Sequence, residues 1–181
     1  KKAEVCCDPT VLTDRKRWDE LSGDCPFVSE KYIFCYFIGN NPTQREFAKK
    51  LAQKTGCKIL AVKHIDEYIK SDDDFGDIDY LEVGPKEFVN FIRYATYVCT
   101  DSFHGTLFSL IFHKQFSCLD TKQNHHDTRK KGLLESVGAT AAYQNIEDPL
   151  KICSTLNYEE IDCRMDEIRK SAAIFLEILD E

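Results

Sequence analysis

The chain has 181 residues, 43% of them hydrophobic and 30% charged, which is enough for one domain with its own core and excludes a disordered chain. A formal charge of -7 and a pI near 5.3, with no local Lys/Arg stripe, exclude the electrostatic footprint of a nucleic-acid binder. No apolar run reaches the ~20 residues of a membrane-spanning helix.

Lys1-Lys2 leads to Cys6-Cys7-Asp8-Pro9 and not to an apolar stretch, so no signal peptide is expected. Lys1 stands where an initiator methionine would be, which is the expectation for a segment cut from a longer protein. The cysteine count, 9, is odd, and no Cys-x-x-Cys pair exists to suggest a zinc ribbon or a redox motif. Cys35, Cys57, Cys99 and Cys118 fall in or beside strand-like apolar runs. They read as buried, reduced thiols of a cytoplasmic protein.

Residues 1–30 read as an irregular lead-in: a turn at Asp8-Pro9-Thr10, then a short helix capped by Thr13 or Asp14 and stopped at Ser22-Gly23-Asp24. Tyr32 to Ile38 is nearly unbroken in its apolarity, as expected of a strand buried on both faces of a parallel sheet. Gly39-Asn40-Asn41-Pro42 ends that strand. A helix follows, capped by Asn41 or Thr43, striped by Phe47, Ala48 and Leu51, and closed at Thr55-Gly56. Residues 57–62 form the next strand. Residues 63–78, centred on Asp72-Asp73-Asp74, read as a solvated loop, and residues 79–83 as a short third strand.

Gly84-Pro85 opens a helix with Pro at its first position, and Phe88, Phe91, Ile92 and Ala95 face the core. Residues 97–100 are a strand, Asp101-Ser102-Phe103-His104-Gly105 turns into a helix, and residues 116–119 are the last strand expected. A polar loop at 120–126 precedes a helix through Leu133, Leu134 and Val137, which Gly138 ends. Ile161, Met165, Ile168, Ala172, Phe175 and Leu179 recur at spacings of three and four, the pattern of a long amphipathic helix that packs on the sheet.

Strands alternating with helices make an α/β doubly wound parallel sheet. Right-handed crossovers and a strand order of 3-2-1-4-5 put the runs at 32–38 and 97–100 side by side. Ligands of such sheets bind where the order reverses, so Gly39-Asn40-Asn41 and residues 101–105 are expected to meet there. His104 starts a helix whose first N–H groups lack intrahelical partners and whose dipole favours an anion. Ser102 adds a hydroxyl, and Gly105 permits close approach to the backbone. Gly39 and Asn40 offer amides to the same ligand. Arg129, after His125-His126, suits bidentate carboxylate or phosphate contact, or else pairs with Asp127 or Glu135. Two adjacent histidines point apart, so no metal site is expected.

Val83-Gly84-Pro85-Lys86-Glu87-Phe88, the block Ala95 to Ser109 with its Thr-Asp-Ser-Phe-His-Gly core, and Phe116 resemble the C-terminal half of the polysaccharide pyruvyl transferase family. Asp8-Pro9-Thr10 with Trp18 resembles that family's lead-in. His126-Asp127-Thr128-Arg129 with Leu133 to Gly138, and Ser171 to Leu179, resemble its later segments. The resemblance implies two Rossmann-like domains in a glycosyltransferase-B-like arrangement, this chain being the second half. The boundaries that follow are a lead-in at 1–30, a Rossmann-like domain at 31–155 and a helix at 156–181 packed on it.

The implied reaction moves the enolpyruvyl group of phosphoenolpyruvate onto two hydroxyls of a cell-surface polysaccharide sugar, as in exopolysaccharide biosynthesis. It forms a pyruvate ketal and needs no cofactor. The donor-associated histidine carries over to His104, with Ser102, Phe103 and Gly105 around it. Some members have Arg where this chain has Ser102, and Arg129 is the substitute cation at hand. The implied partners are phosphoenolpyruvate, a sugar acceptor and the N-terminal domain, without which the chain is expected to be inactive. Two other readings remain: half of a nucleotide-sugar glycosyltransferase, with Glu135 on the ribose, and a non-catalytic module docking through the apolar face of 161–179.

Overall fold

The computed structural model describes residues 6–63, 68–80, 82–120, 128–146, 151–152 and 155–179. Six parallel strands form one sheet: β1 (Tyr32–Tyr36), β2 (Lys58–Val62), β3 (Ile78–Tyr80), β4 (Tyr97–Thr100), β5 (Phe116–Asp120) and β6 (Tyr143–Asn145). Their order is β3-β2-β1-β4-β5-β6, so the expected 3-2-1-4-5 order holds and the switch point falls between β1 and β4. Ile33 pairs with Tyr97 there, and Tyr36 with Thr100.

β6 is a correction to the sequence reading, which ended the sheet at β5. It pairs with β5 from Cys118–Tyr143 to Asp120–Asn145. Its three residues, Tyr-Gln-Asn, are half-buried and mostly polar, so they carry neither a continuous apolar run nor an alternation. β3 lies one residue earlier than expected; Leu81 lies outside the described residues.

Successive side chains of a strand point to opposite faces, and here both faces are apolar. Ile33, Cys35, Ile59, Ala61, Tyr97 and Cys99 pack against Phe47, Ala48 and Leu51 of α3 (Pro42–Thr55). Tyr32, Phe34, Leu60, Val98 and Phe116 face the other way. They meet α4 (Pro85–Tyr94), α5 (Phe103–Ile111), α6 (Thr128–Ser136) and α7 (Tyr158–Leu179). The four cysteines expected to be buried are buried. The fold is a Rossmann-like, doubly wound parallel sheet.

The lead-in is more ordered than its sequence suggests. Asp8 caps a one-turn helix, α1 (Pro9–Leu12), and Asp14 caps α2 (Arg15–Ser22), which ends on Gly23 at φ 81°. Val11 is 2% exposed, and Arg169 of α7 donates to its carbonyl at 2.8 Å, which fastens α1 to the terminal helix. Ile161, Met165 and Ala172 are buried, so α7 spends its apolar stripe on this domain. The side chains of Phe175 and Leu179 lie outside the described residues.

Asp72 is a second correction. The sequence makes it part of a solvated acidic run, yet it is 8% exposed, and its Oδ1 accepts from Arg45 Nε and Nη2 at 2.9 and 2.7 Å. A guanidinium carried into the interior by α3 requires a carboxylate beside it.

Candidate active site at the switch point

The two loops that leave β1 and β4 meet as expected, and one carboxylate joins them. Asp101 Oδ1 accepts from Ile38 N at 2.6 Å, and Oδ2 from Gly39 N at 3.0 Å and Gln44 Nε2 at 3.2 Å. Arg45 Nη1 donates to the Gly39 carbonyl at 2.6 Å. Both backbone groups of Gly39 are thereby engaged within the fold. Asn40 lines a separate cavity of about 550 Å³ with Pro42, Tyr68, Ile69, Lys70 and Ser71. Its carbonyl accepts from Ser71 Oγ at 3.0 Å.

Ser102 is the N-cap of α5. Its Oγ accepts from Gly105 N at 3.3 Å, and its carbonyl takes the Thr106 amide at 3.0 Å. The first two N–H groups of the helix, on Phe103 and His104, precede any intrahelical acceptor. Gly105 is buried, and a Cβ there would lie 2.5 Å from Thr100 Oγ1. The close approach at Gly105 is therefore made by a β4 side chain. That hydroxyl also donates to the Tyr36 carbonyl at 2.6 Å and accepts the Ser102 amide at 3.0 Å.

His104, the second residue of α5, keeps its side chain 55% exposed. Its Nε2 lies 3.5 Å from Asp8 Oδ2, a neighbour that sequence reasoning missed. The carboxyl of Asp8 is held below the ordinary aspartate range. Partial burial works the other way, and is outweighed by hydrogen bonds from the side chain and amide of Thr10 and by the His104 charge. The visible signal was the Asp-Pro-Thr cap, which places an aspartate but not its partner.

Asp8, Val11, Phe103, Arg129 and Leu133 are among the walls of a cavity of about 740 Å³. The Arg129 guanidinium lies 5.3 Å from the Phe103 ring centroid, and that ring meets the His104 ring edge to face at 5.5 Å. Arg129 is thus brought beside the motif from the far side of β5. Its neighbour Lys130 points inward, 1% exposed, with Nζ 2.6 Å from the Asp101 carbonyl and 3.3 Å from Asp120 Oδ1. Glu135 is exposed and 3.8 Å from Lys131 Nζ. His125, His126 and Asp127 lie outside the described residues. Among the described residues no group of three His, Cys, Asp or Glu side chains is placed to hold a metal ion, and no helix is long and apolar enough to cross a membrane.

The arrangement is that of an α/β domain with an imidazole and a guanidinium near the C-terminal edge of its sheet. The polysaccharide pyruvyl transferase family model matches residues 1–123, and the chain belongs to that family. The matched stretch includes Asp8, the Gly39 loop and His104, and it ends before Arg129. No curated protein matches the chain. Among solved structures, UDP-GlcNAc 2-epimerase from Methanocaldococcus jannaschii is similar at 14% identity and a TM-score of 0.47. The likeness covers 90% of this chain and 43% of that one, so the chain spans less than half of that protein's length.

Proposed function

We propose that this chain is the donor-binding half of a polysaccharide pyruvyl transferase and that His104 acts on phosphoenolpyruvate. The observation that carries the reading is an exposed imidazole on the second residue of a nine-residue helix at the C-terminal edge of the two central strands. An anion at that position meets unpaired N–H groups and the positive end of the helix dipole. Arg129, on the neighbouring helix, supplies the cation that Ser102 cannot, and its planar fork suits the donor carboxylate.

The chemistry balances as follows. A proton added to the donor's methylene carbon makes the central carbon cationic, and a sugar hydroxyl attacks it and gives up its proton. The bond from that carbon to the phosphate oxygen then breaks. The second hydroxyl closes the ketal, and its proton leaves with the phosphate. His104 serves either as the acid toward carbon or as the cation that steadies the departing phosphate. The other wall of the cleft belongs to an N-terminal Rossmann-like domain, in the glycosyltransferase-B-like arrangement that family membership implies. Without that wall the site neither excludes water nor orients the acceptor, so the isolated chain is inactive. The buried free thiols and a phosphoenolpyruvate donor support a cytoplasmic location.

The test is His104→Ala in the full-length enzyme, with phosphate release as the readout. Turnover is expected to fall by about 10²-fold or more. Unchanged turnover overturns the assignment. NMR titration of this chain then separates the donors: phosphoenolpyruvate shifts the amides of residues 102–106, and UDP does not.

A further inference from the structure

We infer that Asp8 is a positioning residue for His104, the two forming a carboxylate–imidazole pair between the lead-in and the switch-point helix. The inference rests on the role proposed for His104 above. The two oxygens of Asp8 have separate tasks. Oδ1 accepts the Thr10 amide at 2.9 Å and caps α1, whereas Oδ2 faces His104 Nε2 at 3.5 Å. The carboxylate is itself held in place. Pro9 occupies the first turn of α1, Val11 is buried, and Arg169 of α7 grips the Val11 carbonyl.

A carboxylate on one ring nitrogen defines what the other nitrogen does. With Nε2–H directed at Asp8, Nδ1 is left for the ligand. The ring is restrained to one orientation, and a positive charge on it is stabilised while a phosphate departs. Asp8 keeps its charge throughout, because its neighbours already favour the ionised form. Residues 6–12 therefore belong functionally to the site, although they precede the first strand by twenty residues or more of chain.

Asn is as good an N-cap as Asp, so Asp8→Asn removes the charge and keeps the cap. In the full-length enzyme this variant is expected to lower kcat roughly tenfold, a loss in the range that contacting pairs show in mutant cycles. Its Tm is expected to stay within about 2 °C of the wild type, whereas Asp8→Ala, which also loses the cap, drops by roughly 3 °C. In a His104→Ala background, Asp8→Asn is expected to cost nothing further. A capping role alone would not produce that coupling. Wild-type kcat in Asp8→Asn, or an equal loss in both backgrounds, overturns the pair. An inactive His104→Ala beside a fully active Asp8→Asn overturns the pair and leaves the donor-site assignment standing; a fully active His104→Ala overturns both.

Discussion

Lys130 Nζ lies 2.6 Å from the carbonyl oxygen of Asp101, and both residues are buried. One ammonium thereby joins α6, the turn after β4 and, through Asp120, the end of β5. Asp101 in turn holds the loop after β1. The segments that carry Arg129, His104 and Asn40 are thus linked beneath the surface by a continuous polar chain. Partnered groups of this kind fix a backbone more than they stabilise it, and losing one partner is costly.

Lys130→Met keeps the volume and removes the charge, and it takes the ammonium away from the Asp120 carboxylate, which is 3% exposed and also accepts from the Tyr143 hydroxyl at 3.2 Å. The expected loss of folding stability is about 3 kcal/mol. Urea unfolding of this chain measures it. A loss below about 1 kcal/mol would mean that the ammonium does not brace these loops.

Gly105→Ala is expected to cost about 1–3 kcal/mol by overpacking, because its methyl would press on Thr100, whose hydroxyl bridges Tyr36 and Ser102. Thermal unfolding reads the loss. Gly132→Ala is the control: a Cβ there meets nothing within 4 Å, and alanine favours a helix, so that variant is expected to be neutral or slightly stabilised. Equal Tm values for the two would refute the crowding.

Thiol reactivity checks the core directly. Burial pushes the Cys118 thiol up to about 12, and burial followed by the hydrogen bond with Cys35 raises that of Cys99. Cys25 and Cys163 are exposed. Iodoacetamide at pH 8 should alkylate these two in the native protein and spare Cys35, Cys99 and Cys118 until urea is added. Mass spectrometry of the peptides decides the matter, and rapid native labelling of Cys118 would contradict the packing of β5.

The apolar runs at 32–38, 57–62 and 97–100 made the central strands readable, because a strand buried on both faces must be apolar at every position. The same logic reached α3, α4, α5 and α7 through their stripes, with Asn41 and Pro85 marking the starts of α3 and α4. It failed at β6, a short and mostly polar stretch that pairs with the edge of β5. It also failed at Asp72, because a carboxylate in an acidic run looks solvated until Arg45 arrives from another element. Gly105 reads in the sequence as a place where a ligand comes close to the backbone, whereas in the fold the atom beside it is Thr100 Oγ1.

By itself, then, the order of residues determined the layers and the alternation of strands with helices, and right-handed crossovers narrowed the strand orders to those in which two loops can meet at the switch point. Those follow from local periodicity, chirality and short connections, all of which are properties of neighbouring residues. Which side chains face one another across that crevice was decided only by the folded chain. Asp8 and His104 are ninety-six positions apart, and Arg129 reaches Phe103 from the helix beyond β5. Long-range pairs of this kind are set by how α1 packs on α7 and how Lys130 is swallowed by the core, and no spacing rule along a chain encodes them.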